Sequence, residues 1–333
     1  MNAAFPTKPA TLHDVAKAAG VSLITASRAL SNPDIVSDKT IAKVRAAADA
    51  TGYIPNLLAG GLKSKRSRMV AAVVPSLSVS QFLPTVQALT NELAASGYQL
   101  ILGQTQYDAE VEESVLNTMI GRQPDGIVIT GLVQSQRARD RLRRSGIPIV
   151  ETWDLVDRPI DMLVGFSHRQ VGEAVGAYFL DKKWQHIGVA SGDDLRARMR
   201  RDGFQAALGR EMPTALVPAP SSLERGRLAL AQLLSAEPRL EAVCCSSDQL
   251  AHGVMVEAMA RGMRIPQDLA VCGFGNADFS AHMVPSISTV HVDGPQIGRV
   301  AARLIVDRCR GEPIAQTAVD LGFQLIERQS TAL

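Results

Sequence analysis

Four arginines fall within six residues in the run Arg196-Ala-Arg198-Met-Arg200-Arg201, just ahead of Gly203-Phe204. A guanidinium holds a carboxylate or phosphate through two parallel hydrogen bonds, so the run is a candidate anion grip. Arg196 and Arg200 are four apart and share a helix face. Arg198 and Arg201 point elsewhere, where a solvated charge run is the plainer role. Other reactive chemistry is hard to find. Cys244, Cys245, Cys272 and Cys309 lack the spacing of a zinc site or redox pair, and three of them lie in apolar runs as small buried residues. Gly273-Phe274-Gly275 has neither the third glycine nor the strand-turn-helix context of a dinucleotide site, and neither GxSxG nor HExxH occurs. The expectation is a binding protein with no metal and no cofactor, and not an enzyme.

The elements that must position these groups divide unevenly along the chain. Residues 1–68 hold ten Lys or Arg and four Asp, a charge of +6, while the remaining 25 basic and 29 acidic residues leave −4. Such asymmetry points to an N-terminal module that meets a polyanion. The first 52 residues carry three short helical patterns, opened by Thr11 (with Asp14 three residues on), Ser22 and Ser37 and closed by Gly52. Leu12, Val15, Ala16 and Ala19 mark one face of the first helix, and Ala26, Ala29 and Leu30 one face of the second. Gly20-Val21-Ser22 between them allows only a tight turn, the layout of a helix-turn-helix.

Beyond Met69, short apolar runs alternate with amphipathic stretches, which reads as repeated β-α units building parallel sheets. Strands are expected at 70–74, 98–103, 126–130, 147–150, 187–190, 242–245, 270–274 and finally 318–327. Helices are expected at 82–96, 111–121, 168–182, 203–209, 223–234, 249–261 and 296–310. Asp248 follows a strand and opens a helix, where an N-cap is its simplest role. The count exceeds one compact doubly wound sheet. A split near Phe166 and a return near Val290 would give two α/β lobes facing a cleft, where ligands of such sheets bind. With 46% hydrophobic and 20% charged residues the chain is a folded multi-domain protein. No apolar run is long enough for a membrane span and no secretory signal opens the chain, so a cytoplasmic protein is expected.

Residues 11–56, TLHDVAKAAGVSLITASRALSNPDIVSDKTIAKVRAAADATGYIPN, resemble the DNA-binding headpiece of the lactose-repressor (LacI/GalR) family almost position for position. The phrases VPSLSVSQF, GYQLILGQTQYD, PIVETWD, DMLVGFSH and CSSDQLAHG are similar to the gluconate-type branch of that family. The resemblance implies a fold of an all-α helix-turn-helix headpiece (1–56), a hinge helix and linker (57–68), and a two-lobe α/β core like periplasmic binding proteins (69–333). It makes Ser22–Leu30 the recognition helix, with exposed Leu23, Ile24, Thr25 and Arg28 facing base edges. Arginine is the natural reader of guanine, and Leu23 and Ile24 offer only apolar contacts such as to a thymine methyl. Thr11, Ser22, Ser27, Ser31, Tyr53 and Asn56 would hold phosphates or serve as caps. Leu62 matches the hinge leucine that wedges into the minor groove and bends DNA. Gly60 and Gly61 disfavour the isolated hinge helix by about 2 kcal/mol relative to Ala, so it is expected to order on DNA. A solvated basic linker is the plainer reading of the same segment.

For the core, the resemblance places Gln81 and Phe82 at the ligand, adds Phe166 as a second apolar wall, and makes Arg200 the ligand-gripping arginine with Arg196 beside it. Both aromatics serve equally well as core. Ser247 and Asp248 would meet hydroxyls. Gly275 stands where the family often carries an acidic residue that grips sugar hydroxyls. Losing that carboxylate while keeping the arginines favours an anionic effector. The implied protein is a homodimeric repressor on a palindromic operator, switched by a sugar acid such as gluconate, ketogluconate or phosphogluconate; release is the expected sign. A neutral sugar or purine effector remains open within the family. A transporter's solute-binding protein would share the core, but the basic headpiece and missing signal argue against it. The chain ends at Leu333 without a heptad-bearing tail, which fits a dimer and not a tetramer.

Overall fold

A computed structural model of the chain describes residues 8–55 and 66–332. It divides into two compact units, Met1–Ser67 and Arg68–Leu333. Asn56, Leu62 and most of the expected hinge helix lie outside the described residues. Among the described residues, no helix is long and apolar enough to cross a membrane.

The first unit is three helices, α1 (Leu12–Ala19), α2 (Leu23–Ser31) and α3 (Asp38–Thr51), around Val15, Ala16, Ala19, Ala26, Ala29, Val44, Ala47 and Ala48. Small residues at this spacing let the helices approach closely, so few large side chains are needed. Thr11 closes a full capping box: the Asp14 carboxylate accepts from the Thr11 N–H at 2.9 Å while Thr11 Oγ1 accepts from the Asp14 N–H at 3.4 Å. Gly20 takes the left-handed conformation that ends α1, and Ser22 Oγ then accepts from the Thr25 N–H at 3.1 Å to start α2. Ser37 departs from the expectation. It sits at the N-cap of α3 but caps no N–H, because its hydroxyl pairs with Thr40 Oγ1 at 3.0 Å. Thr11→Ala is expected to cost about 1 kcal/mol of local stability. Amide hydrogen exchange across α1 in the full chain should then run about fivefold faster; an unchanged rate would leave the box without energetic weight.

The second unit is α/β. Its first lobe is a parallel six-stranded sheet in the order β11-β5-β4-β3-β1-β2, formed by β1 (Met69–Val74), β2 (Gln99–Gln104), β3 (Gly126–Thr130), β4 (Ile149–Thr152), β5 (Met162–Gly165) and β11 (Ala318–Asp320). Helices α4 (Leu83–Ala95), α5 (Ala109–Gly121), α6 (Gln136–Ser145) and α11 (Gly294–Arg310) cover it. The second lobe is a parallel four-stranded sheet, β7-β6-β8-β9, from β6 (Ile187–Gly192), β7 (Thr214–Val217), β8 (Ala242–Cys245) and β9 (Ala270–Cys272). Its helices are α7 (His168–Asp181), α8 (Leu195–Leu208), α9 (Leu223–Ala236) and α10 (Asp248–Ala260). Strands such as β1, β3 and β6 are almost wholly buried, as parallel strands covered on both faces must be.

The chain crosses between lobes after Gly165 and again between β10 (Thr289–His291) and α11, close to the expected points. A third crossing was not legible. The single strand expected at 318–327 is two: β11 completes the first sheet, and β12 (Gln324–Ile326) pairs antiparallel with β10. Gly322, in the left-handed region between them, breaks the run. Strands β5, β7 and β10 were also unforeseen, as was α6, which carries five arginines and buries only Ala138 and Leu142. Helix α8 begins at Leu195, eight residues before the expected start, with Asp194 as its N-cap.

Candidate functional site

The headpiece presents α2 outward. Leu23 and Ile24 are 48% and 64% exposed, unusual for large apolar residues on so small a unit, and Ser27 and Arg28 are exposed beside them. Arg28 makes no ion pair among the described residues, so its five donors face solvent. Thr25 differs from the expectation: it is half-buried, its hydroxyl 2.8 Å from Ser22 Oγ, because it stands above the cap. Ser31 Oγ donates back to the Ser27 carbonyl at 2.7 Å, and Tyr53 packs against the headpiece core. Their hydroxyl lone pairs remain available to a neighbouring donor, while the exposed tip of α2 is apolar plus one cation.

In the core unit, helix α8 carries the arginine run because Asp194 caps it, accepting from the Arg196 and Ala197 N–H groups at 3.1 Å each. Close packing of α7 and α8 then fixes the register. A Cβ on Gly172 would collide with the Arg200 carbonyl, and one on Gly203 with the Arg169 carbonyl, so the two helices meet backbone to backbone. Arg200 is thereby driven inward. Its Nη1 donates to His168 Nδ1 at 2.8 Å, its Nη2 donates to the Ser246 carbonyl at 2.9 Å, and its guanidinium lies 4.0 Å from the Phe274 ring centroid. Burial lowers its pKa to about 10, still charged at neutral pH. Because guanidinium can only donate, His168 accepts at Nδ1 and its Nε2–H is donated to the Trp153 carbonyl at 2.9 Å. Burial, then the charge of Arg200, holds His168 well below its ordinary pKa, so the ring is neutral.

Arg196, one turn earlier, reaches the other lobe. Its guanidinium lies 5.1 Å from the Phe82 ring centroid and against Gly131, and its Nη1 is buried with no hydrogen-bond partner. Opposite it, the chain leaving β4 turns sharply at Trp153, which takes a left-handed backbone (φ 67°). Such a conformation costs a bulky residue about 1 to 3 kcal/mol. It is held by the indole N–H donating to Thr85 Oγ1 at 3.0 Å and by edge-to-face contact with Phe82 at 5.1 Å. The next residue, Asp154, is fully buried, and burial raises its pKa to about 6 against the opposing charges of Arg196 and Arg200.

These groups border the cleft. Its centre is a cavity of about 30 Å³ touching Gln81, Tyr107, Trp153, His168, Asp194, Arg196, Arg200, Ser246 and Ser247. That is room for a water or two, so a larger ligand requires the lobes to part. Tyr107, Asp194 and Ala219 connect it to a mouth of about 920 Å³ flanked by Arg139, Arg158 and Arg198. Arg201 pairs with Asp202 at 3.4 Å.

Three expected ligand residues stand elsewhere or do other work. Asp248 is neither the N-cap nor free: Ser247 caps α10, and the Asp248 carboxylate accepts from Thr289 Oγ1 (2.6 Å), Ser280 Oγ (2.7 Å) and the Ala277 N–H (2.7 Å). Phe166 is wholly buried between Trp153, His168 and Phe274 and does not line the cleft cavities. Phe82 meets the cleft only through Arg196. Gln81 and Gly275 do come together from opposite lobes; Gly275 has φ 117°, and a Cβ there would press on Gln81 Oε1 at 2.7 Å. Sequence reasoning missed Tyr107, Trp153, Asp154 and His168, although all lie in the phrases GQTQYD, PIVETWD and VGFSH.

A helix-turn-helix unit joined to a two-lobe α/β core with a central cleft defines a ligand-responsive DNA-binding regulator. Residues 11–56 match the lacI family of bacterial regulatory proteins, and residues 177–331 match the periplasmic binding protein-like domain. The chain is 35% identical to the HTH-type transcriptional regulator GntR of Pseudomonas aeruginosa over 96% of its length and 95% of that protein, and 30% identical to GntR of Escherichia coli over 96% and 97%. A LacI-family transcriptional regulator from Silicibacter pomeroyi superposes with a TM-score of 0.92 at 34% identity, covering 97% of this chain and 99% of that one. The chain belongs to the LacI family of transcriptional repressors and is not an enzyme.

Proposed function

We propose that this repressor works as a homodimer on a palindromic operator and is released from it by a sugar acid, such as gluconate or a keto- or phosphogluconate, bound between the core lobes. The observation that carries the reading is Arg196 Nη1, a buried donor that no protein group satisfies, beside the fully charged Arg200. A buried cation left without a partner is costly, and an anionic ligand offsets that cost. Arg196 takes the carboxylate in this arrangement. Arg200, committed to His168 and Ser246, supplies field rather than the principal contact, which reverses the roles expected from sequence. Ser247 and Gln81 border the same space and suit hydroxyls. The resemblance to gluconate-type repressors supports the same ligand class. The relevant test is a thermal-shift screen of sugar acids, neutral sugars and purines, followed by operator release with each hit. A neutral hexose that releases the operator, with all three acids inert, would overturn the charge argument.

On DNA, we assign Leu23, Ile24 and Arg28 to base edges, with Ser22, Ser27, Ser31 and Thr11 near phosphates. Arg28→Ala should weaken operator binding by about 1 to 3 kcal/mol and relax one base position. Affinity of the wild type should fall steeply with salt as phosphate contacts release counterions. Equal operator affinity of Arg28→Ala and wild type, measured by fluorescence anisotropy at one salt concentration, would remove Arg28 from the readout.

A further inference from the structure

Four carboxylates are buried among the described residues: Glu112, Glu151, Asp154 and Asp248. Three have an evident structural purpose. Glu112 accepts from the Gln134 N–H, Glu151 accepts from Arg139 and the Ile160 N–H, and Asp248 has the three donors described above. Asp154 alone has neither oxygen in hydrogen-bonding geometry with a protein donor. The Leu155 N–H and the charges of Arg196 and Arg200 give it partial relief, and His168 Nε2, at 3.9 Å from Asp154 Oδ2, is already committed to the Trp153 carbonyl. A carboxylate kept so is expensive to the fold, which retains it for something other than stability.

Its surroundings say what that is. The other buried side-chain atoms without partners are Arg196 Nη1, Arg200 Nε and Gln249 Oε1. Asp154 follows a strand of the first lobe, while the two arginines stand on α8 of the second. Gln249, at the start of α10, reaches across to the Ser78 carbonyl of the first lobe. Unmet donors and unmet acceptors thus face each other across the cleft. Parting the lobes would expose both sets to one molecule, and only a ligand carrying acceptors at one end and donors along its chain satisfies both.

We infer that Asp154 is a specificity-determining residue of the effector site, accepting hydroxyl hydrogens of a polyhydroxylated carboxylate whose carboxylate end is held by Arg196. The inference rests on the sugar-acid reading above and deepens it: the site selects for hydroxyls on the carbon chain as well as for charge. The residue lost at Gly275 is replaced in this role from the opposite lobe.

Calorimetric titration of the full-length protein with D-gluconate, hexanoate and D-glucitol tests this. Hexanoate keeps the carboxylate and chain length without hydroxyls, and glucitol keeps hydroxyls without charge. Wild type should favour gluconate over hexanoate by 30-fold or more, a margin that two charge-assisted hydrogen bonds can supply, on the order of tenfold each. In Asp154→Ala the preference should collapse to about threefold or less, with Asp154→Asn intermediate because an amide still accepts one hydrogen bond. Unliganded Asp154→Asn should melt at or above the wild-type temperature, which a structural carboxylate would not allow. An unchanged gluconate-to-hexanoate ratio in both variants overturns the role of Asp154 and leaves the sugar-acid reading standing. Wild type that binds glucitol and ignores gluconate overturns the sugar-acid reading, and the glucitol affinity of the variants then decides Asp154 separately. Failure of both variants to fold would make Asp154 a scaffold residue and also overturn the inference, as would a wild type that binds none of the three probes.

Discussion

Replacing Arg200 by alanine should cost the folded core about 3 kcal/mol, whereas replacing Arg196 should cost about 1 kcal/mol and yet abolish the effector response. The difference lies in what each guanidinium satisfies. Removing Arg200 leaves His168 Nδ1 and the Ser246 carbonyl without donors and opens a void against Phe274, in a site with no solvent to compensate. Removing Arg196 forfeits a ring contact with Phe82 and some attraction to Asp154, but no direct hydrogen bond from its Nη1. Lost operator release in Arg200→Ala therefore says little about ligand contact. The same loss in a well-folded Arg196→Ala is diagnostic. Urea unfolding gives the stabilities, and operator release by D-gluconate gives the response. Wild-type stability in Arg200→Ala would refute the scaffold role, and release of Arg196→Ala at wild-type gluconate concentrations would refute the grip.

A second large effect should be visible in the pH dependence of stability. The Asp154 carboxyl has its ordinary value of 3.8 in the unfolded chain and about 6 in the folded protein. The folded state therefore binds more protons between those values, and the slope of stability against pH is negative there. The contribution of this group is fully present below about pH 3.8 and is lost as pH rises through about 6, a loss of about 3 kcal/mol in all. Asp154→Asn, which cannot ionise, should be more stable than wild type at pH 7.5 by a margin of about that size. The two should converge at pH 4. Parallel unfolding curves for the two proteins across this range would show that Asp154 titrates normally. Effector binding should narrow the difference at pH 7.5, since hydroxyl hydrogens on Asp154 favour its charged form.

Much of this protein was readable along the chain because its determinants are local. A capping threonine with an aspartate three residues on, a glycine that ends a helix, and alanines at helical spacing need no distant partner, so the headpiece helices emerge from the sequence with their turn. The charge split between residues 1–68 and the rest, and the alternation of apolar runs with amphipathic stretches, likewise depend only on neighbours. So do the helix-turn-helix unit, the parallel sheets of the core and the two lobes, whose family the sequence motifs already marked.

The tertiary structure decided which polar groups are spent and which are free. Arg196 and Arg200 share a helix and a residue type, but only the backbone contact of α7 with α8 places Arg200 against His168 and leaves Arg196 Nη1 unmet. Asp154 and Asp248 are both acids beside apolar strands. Three donors from residues 277, 280 and 289 saturate one, and a left-handed turn at Trp153 delivers the other, unpaired, beneath the arginines of the opposite lobe. The split of 318–327 into strands of two different sheets is of the same kind. Local sequence specifies an element's type through short-range propensity and periodicity, while hydrogen-bond satisfaction is settled between residues tens to hundreds of positions apart, where one chain read in order carries no distance.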